Sequence, residues 1–198
     1  MKKIKTALIS VSNKKNLKPL LKSLKKYKVR IISSGGTYKE IKKLKFDCLK
    51  ISNFTNSPEI LEGRVKTLHP KIHAGILNKR NNKKHIHDLK KNNFETIDLV
   101  VVNFYPFEKI LEKTKNYNKI IENIDIGGPT LARSAAKNHN DVAVLTSDKQ
   151  YNELIEELNN NKGSTTLRFR KKLSTIAFTE TAYYDSVISN YFNKMTNT

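Results

Sequence analysis

Fourteen consecutive residues, EGRVKTLHPKIHAG (62–75), gather Arg64, Lys66, Lys71, His69 and His73 around a proline. The run has no clean apolar period, so it predicts a loop or short turn, not a helix or strand. Cations, a hydroxyl (Thr67) and imidazoles on a loop are suited to holding an anion and a negative charge that develops during a reaction. Four other loops share this character. SVSNKK (10–15) places Ser12 and Lys14 after an apolar run, and SSGGT (33–37) offers Ser34, Gly35, Gly36 and Thr37. Glycines there let backbone N–H groups turn toward an anion, and a following helix adds its N-terminal amides. In NFYPFE (103–108), Asn103 can read a base or carboxamide, and Tyr105 can stack or donate a hydrogen bond. IDIGGPTLARSAAKNH (124–139) sets Asp125 and the pair Gly127–Gly128 ahead of a helix opened by Pro129, with Arg133 and Lys137 on one face at i, i+4. A helix start beside an aspartate and two glycines is a good place to stabilise an oxyanion.

Other chemistries find less support. The chain has neither GxGxxG nor GxxxxGK[ST], so no standard dinucleotide or ATP signature is present. His69 and His73 have HxxxH spacing, but Pro70 separates them and no acidic ligand is near, so no metal site is expected. His85 and His87 lie in a polar stretch and face solvent in this reading, and His139 serves at most to orient Lys137. The single cysteine, Cys48, can form neither an internal disulfide nor a CxxC pair, which fits a reducing cytoplasm.

The elements that must position these loops follow from periodicity. TALISV (6–11), VRIIS (29–33), CLKIS (48–52), IDLVVVNF (97–104) and DVAVLT (141–146) read as buried strands. Leu17, Leu20, Leu21, Leu24 and Tyr27 mark a helix face, a second helix is expected from Tyr38 to Leu44, and NNKKHIHDLKKN is helix-like. Strands alternating with helices predict an α/β fold: an open, mainly parallel five-stranded sheet with helices on both faces. In such sheets ligands sit beyond the carboxyl ends of the strands, where the loops above fall. Leu173, Ile176, Ala177, Tyr184, Val187, Ile188 and Tyr191 then predict one or two C-terminal amphipathic helices, a stripe of core packing. NNNKGS (159–164) is the one linker-like segment, so a single domain over 1–198 is expected, with a core at 1–158 and a helical extension at 165–195.

A net charge of +20 invites a nucleic-acid reading. The cations are 32 Lys against 6 Arg, beside 22 Asn, the bias of an AT-rich coding sequence. They are scattered through KKIK, KSLKKYK, NKKH and RFRKK, not gathered with aromatics on one stripe, so most read as solvated surface. The start MKKIKTALISVS has too short an apolar run for a signal peptide, and no run approaches the length of a membrane span. A cytoplasmic location, with no membrane partner and no specific nucleic acid, is expected.

Taken together, SVSNKKNL, SSGGT, SPEILEGRVKTLHPKIHAGIL, VVVNFYPFE and ENIDIGGPTLARSAAKNH resemble the inosine monophosphate (IMP) cyclohydrolase domain. That domain forms the amino-terminal part of the bifunctional purine-biosynthesis enzyme that also carries an AICAR transformylase. The resemblance spans essentially the whole chain. It implies a methylglyoxal synthase-like fold and closure of formyl-AICAR to IMP with loss of water, without metal or cofactor. Lys66, Tyr105, Asp125 and Lys137 match the family's catalytic positions; the resemblance implies proton transfer by Lys137 with Asp125 and oxyanion stabilisation by Lys66. Ser12, Lys14, Ser34, Gly35, Gly36, Thr37, Arg64 and Thr67 match phosphate- and nucleotide-contacting positions. Asn103, Ile126 and the adjoining Gly127 match contacts to the base. The first loop departs from the pattern at Asn13, where an acidic residue is usual, and at Lys15 and Asn16, where threonine and glycine are; Ala132 and Ser134 replace the commoner leucine and alanine in the last motif. The implied partners are formyl-AICAR and IMP, a homodimer as the candidate assembly, and a separate transformylase protein, since no transformylase domain or folate site is expected within these residues.

Two rival readings predict different behaviour. A methylglyoxal synthase-like phosphate-sensing domain would share the fold and the Gly/Thr loop, but the synthase itself needs an acidic residue after its glycine pair, where this chain has Pro129 and Thr130. A nucleic-acid binder would show steep, salt-dependent affinity.

Overall fold

The computed structural model describes residues 1–196. Five strands form one all-parallel sheet: β2 (Thr6–Val11), β3 (Arg30–Ser33), β4 (Leu49–Lys50), β5 (Leu99–Asn103) and β6 (Ala143–Leu145), in the order β4-β3-β2-β5-β6. A separate antiparallel pair joins β1 (Lys2–Lys3) to β7 (Ser164–Thr165). Ala7, Leu8, Ile9, Leu99, Val100, Ala143, Val144 and Leu145 are all fully buried whatever the side of the sheet they face. A sheet covered on both faces demands such unbroken apolar runs, which is why these strands are readable as runs.

Right-handed crossovers set the layers. α1 (Leu17–Lys26) and α2 (Gly35–Lys43) connect β2 to β3 and β3 to β4 on one face, and α9 (Tyr151–Asn160) packs beside α1. The return from β4 to β5 runs through α3 (Ile51–Thr55), α4 (Pro70–Leu77) and α5 (Lys83–Lys91). Between β5 and β6 lie α6 (Phe107–Lys113), α7 (Tyr117–Glu122) and α8 (Gly127–Lys137), and α8 packs on β5, β6 and α4. The chain then ends in α10 (Leu167–Thr196), one helix of 30 residues lying against α8 and β6.

Several expectations need correction. The third strand keeps only Leu49–Lys50, because Ile51 and Phe54 turn into the core on α3. The second helix opens at Gly35, three residues before Tyr38, and α8 opens at Gly127, two before Pro129, so both glycine pairs are first-turn residues and do not precede their helices. Residues 62–75 are only partly loop, since Pro70 sits at the first turn of α4 with Ile72, Gly75 and Ile76 buried. NNNKGS is no linker: Asn159 and Asn160 end α9, Lys162 and Gly163 make a left-handed turn, and Ser164 pairs with Lys3. RFRKK is not all solvated either. Arg170 is 2% exposed, and its guanidinium donates to the carbonyls of His139, Asn140 and Thr165. With Phe169, Leu173 and Ala177 in the main core, that anchor fixes α10 to the sheet. Among the described residues, no helix is long and apolar enough to cross a membrane.

Candidate active site

The loops singled out in the sequence meet at the carboxyl ends of β2, β3 and β5, the place a parallel sheet offers a ligand. The loops after β2 and β5 are bound to each other. Asn103, the last residue of β5, accepts through Oδ1 from the Ser12 amide (2.8 Å), the Ser12 hydroxyl (3.0 Å) and the Asn13 amide (3.0 Å). Its Nδ2 donates to the Asn13 carbonyl at 3.2 Å. The Asn103 side chain is thus committed to shaping the first loop. Thr37 is committed in the same way, accepting from the Val11 amide and donating to the Val11 carbonyl.

Lys14 and Lys66 converge on the glycines of the second loop. Gly35 has φ +51, a left-handed conformation that favours glycine, and it lets the chain turn from β3 straight into α2. A Cβ on Gly35 would lie 3.5 Å from Lys66 Nζ, and one on Gly36 would lie 3.6 Å from Lys14 Nζ. Two ammonium groups therefore stand beside the first turn of a helix, whose free amides favour the same anion. The Ser34 hydroxyl, on a residue only 3% exposed, lies at the same turn.

Lys66 reaches this position through a strained turn. Leu61, Glu62 and Gly63 follow one another at φ 52, 54 and 90. Left-handed backbone costs a non-glycine residue about 1–2 kcal/mol. The turn folds Val65 back to bridge Ile60 and presents Arg64, Lys66 and Thr67 in sequence. Arg64, on the rim, donates through Nε (3.1 Å) and Nη2 to the Glu122 carboxylate.

The other wall is the start of α8. The Asp125 carboxylate accepts from the Gly128 amide at 2.8 Å, and the Asp125 amide donates to the Tyr184 hydroxyl at 2.8 Å. The Tyr105 amide also faces the carboxylate. Burial nonetheless raises the Asp125 pKa above its ordinary 3.8, against the pull of those amides and of Lys66. The glycine pair is explained by space, since neither residue has a positive φ. A Cβ on Gly127 would come within 2.7 Å of Thr67 Oγ1, and one on Gly128 within 2.5 Å of Asp125 Oδ2. Both side chains occupy room that only glycine leaves. Ile126 (58% exposed) and Tyr105 (44% exposed) flank the carboxylate as apolar and aromatic surfaces open to a flat ring.

One residue of the expected set is elsewhere. Lys137 ends α8, and ten residues of helix carry it about 15 Å from Gly127. It lines a different cavity, with Lys2, Lys79 and Asp141, toward the amino ends of the strands. A direct partnership of Lys137 with Asp125 inside one chain would have to span the length of this helix. The two histidines of the opening motif also part ways. His69 caps α4 by accepting from the Lys71 amide, whereas His73 is half-buried against α8 with Nδ1 3.1 Å from Ser134 Oγ. Among the described residues, no group of three or more acidic, histidine or cysteine side chains is placed to hold a metal.

Sequence reasoning missed Tyr184 and Glu122. In the sequence Tyr184 is one member of a packing stripe, and nothing in helical spacing distinguishes it. Its ring does pack, 5.3 Å from Phe104 and 6.4 Å from Phe107, while its hydroxyl holds the Asp125 backbone. Burial pushes its pKa up to about 12, so it stays a neutral hydrogen-bonding group.

Comparison with known proteins gives concordant results. The model of the MGS-like domain matches residues 16–130, and that of the AICARFT/IMPCHase bienzyme matches residues 135–198. The bifunctional purine biosynthesis protein PurH of Prochlorococcus marinus strain MIT 9515 is 53% identical over 95% of this chain and 36% of its own length. The PurH protein of Bradyrhizobium diazoefficiens is 46% identical over 98% of this chain and again 36% of its own. The chain thus spans about a third of the length of these relatives. The crystal structure of ForH superposes with a TM-score of 0.84 at 28% identity, over 96% of this chain and 99% of that one.

Proposed function

Since the chain belongs to the MGS-like domain family and also matches the AICARFT/IMPCHase bienzyme over residues 135–198, we propose that it is an IMP cyclohydrolase, closing formyl-AICAR to IMP with loss of water. The observation that carries this reading is the pairing of Lys66, set against the glycine turn at the start of α2, with a half-buried Asp125 whose proton affinity is raised. The reaction needs both an electrostatic and a proton-carrying group, because a carboxamide nitrogen is a weak nucleophile and a formyl oxygen must take up charge.

Substrate phosphate is held by the first-turn amides of α2 with Lys14 and Lys66 nearby, and Arg64 stands at the rim. Tyr105 and Ile126 bracket the heterocycle and fix the rotamer in which the carboxamide nitrogen faces the formyl carbon, a proximity effect. The C–N bond forms, the formyl oxygen becomes an oxyanion beside Lys66, and the nitrogen's proton passes to Asp125. Asp125 returns that proton to the oxygen. The formamido nitrogen then releases its own proton to the departing hydroxyl, the C=N bond forms, and water leaves. A carboxyl made more basic by burial suits this exchange better than a solvated one.

Formyl-AICAR and IMP are the small-molecule partners in this proposal; a homodimer and a transformylase partner are carried over from the resemblance. The test is to mix purified protein with formyl-AICAR, with EDTA and no folate, and follow the purine absorbance. Prompt IMP formation is expected. Absence of product despite tight IMP binding would favour the phosphate-sensing alternative, and absence of both would overturn the reading.

A further inference from the structure

The link between α7 and α8 carries the Asp125 carboxyl, and most of that link holds only itself. Asn123 and Ile124 donate their amides back to the carbonyls of Ile120 and Ile121 in α7. The Asp125 side chain accepts from the Gly128 amide within its own turn. These bonds fix the shape of the link but not its place against the rest of the site. The Asp125 amide does something different. It donates at 2.8 Å to the Tyr184 hydroxyl on α10, 59 residues away in sequence. Tyr184 is 7% exposed, so water competes little for that bond.

The ring of Tyr184 serves the neighbouring wall. Its centroid lies 5.3 Å from that of Phe104, the residue before Tyr105, and 6.4 Å from that of Phe107. Phe104 in turn lies against the first turn of α8, where a Cβ on Gly128 would meet its Cδ1 at 3.0 Å. Ile120, Ile124 and Val187 fill the small apolar cluster around the ring. The hydroxyl is also within electrostatic reach of the Tyr105 phenol and the Asp125 carboxylate. One side chain therefore touches both the Phe104–Tyr105 corner and the Asp125 turn. It stands on a helix whose start is anchored by Arg170, about 21 Å back along the axis.

We propose that Tyr184 is a positioning residue for ring closure, its hydroxyl fixing the Asp125 backbone and its ring fixing the corner that carries Tyr105. This role rests on the cyclohydrolase reading and supplies the geometry that reading needs. Proton exchange through Asp125 requires the carboxyl within hydrogen-bond reach of the reacting nitrogen and oxygen. A turn free to drift by about 1 Å forfeits much of the advantage of proximity. α10 lies wholly outside residues 16–130, which the MGS-like domain model matches, so the support for Asp125 comes from a helix added to that unit.

The test compares two variants of the whole chain. Tyr184→Phe removes one oxygen and keeps the ring, whereas Val187→Ala removes packing from the same cluster, and Val187 makes no hydrogen bond to Asp125. Each is followed by thermal melting, by kcat and KM with formyl-AICAR, and by backbone amide hydrogen exchange. Tyr184→Phe should lose kcat by about 10–100-fold with KM within about twofold of wild type. Its Asp125 amide should exchange at least about tenfold faster, as an amide that has lost its acceptor does. Val187→Ala should melt at a lower temperature and keep kcat within about twofold of wild type. Near-normal turnover in Tyr184→Phe would overturn the proposal, as would turnover that simply follows melting temperature in both variants. So would an Asp125 amide that exchanges freely in wild type, a result that needs no variant to fold. Wild type that forms no IMP removes the cyclohydrolase reading and this role with it. Active wild type beside an equally active Tyr184→Phe removes the role alone.

Discussion

At the scale of single residues, the site is a place where folding and chemistry pull apart. Asp125 is held at the head of α8 by the Gly128 amide, yet burial disfavours its charge and raises its pKa above 3.8. A carboxyl whose pKa is higher in the folded chain stabilises the fold only when protonated. That contribution is present below the unfolded pKa and is lost as pH rises through the folded one. At neutral pH the charge is therefore a burden on stability. Asp125→Asn keeps an oxygen for the Gly128 amide and removes the charge. It should unfold at the same temperature as wild type or higher in a thermal melt at pH 7.5, while losing turnover by about 10²–10⁴-fold, the usual contribution of a proton-transfer group. A variant both unstable and inactive would make Asp125 a structural residue. The glycines of this region are legible in the sequence as site residues, but their reason is not. A sequence suggests freedom of φ, and only the structure shows that Gly127 and Gly128 make way for Thr67 and Asp125.

At the scale of elements, the seam between α4 and α8 keeps the cationic loop against the aspartate. His73 sits in that seam beside Ser134, and burial holds its pKa below the ordinary 6.5. Its neutral form belongs to the fold, so the stability it brings is complete above the unfolded value and is lost as pH falls from about 6.5 toward the folded one. Wild type should therefore lose more melting temperature between pH 7.5 and pH 5.5 than His73→Gln does. Equal losses would remove His73 from the seam's pH response. On the far side of α8, Arg170 ties α10 to three backbone carbonyls. Arg170→Leu should cost about 3 kcal/mol or more in urea unfolding, because those carbonyls are left buried and unpaired. A loss below about 1 kcal/mol would mean that water replaces the guanidinium. These two elements also mark the limit of what sequence conveys. Strand β2 is readable to the residue, since burial on both faces writes an unbroken apolar run. Helix α4 is not, because it buries only Ile72, Gly75 and Ile76 and is capped by an imidazole, an uncommon capping group. Arg170 is hidden among solvated cations because burial of a charge depends on carbonyls that lie about 30 residues away in sequence.

At the scale of the whole molecule, the +20 charge is not distributed without consequence. Toward the amino ends of the strands, Asp98 accepts from the Lys5 and Thr6 amides and pairs with Arg80, and Asp141 pairs with Lys2. Cations there meet carboxylates. At the carboxyl ends, Lys14 is held by the Ser12 carbonyl, and Lys66 has the half-buried Asp125 within electrostatic reach, so positive potential is left where the proposed substrate's phosphate would sit. The fold class and most of the candidate cluster are visible in the order of the loops. The exception is Lys137, whose distance along α8 becomes plain only when the helix is measured from its true start at Gly127. That residue supplies the sharpest test of the central claim, that ring closure happens at the Lys66–Asp125 cluster. The measurement is the turnover number of Lys66→Ala and Lys137→Ala, side by side, in the formyl-AICAR assay. A loss of about 10²-fold or more for Lys66→Ala, with a far smaller one for Lys137→Ala, is the predicted result. Near-normal turnover in Lys66→Ala together with collapse in Lys137→Ala would contradict it and move the chemistry away from this cluster.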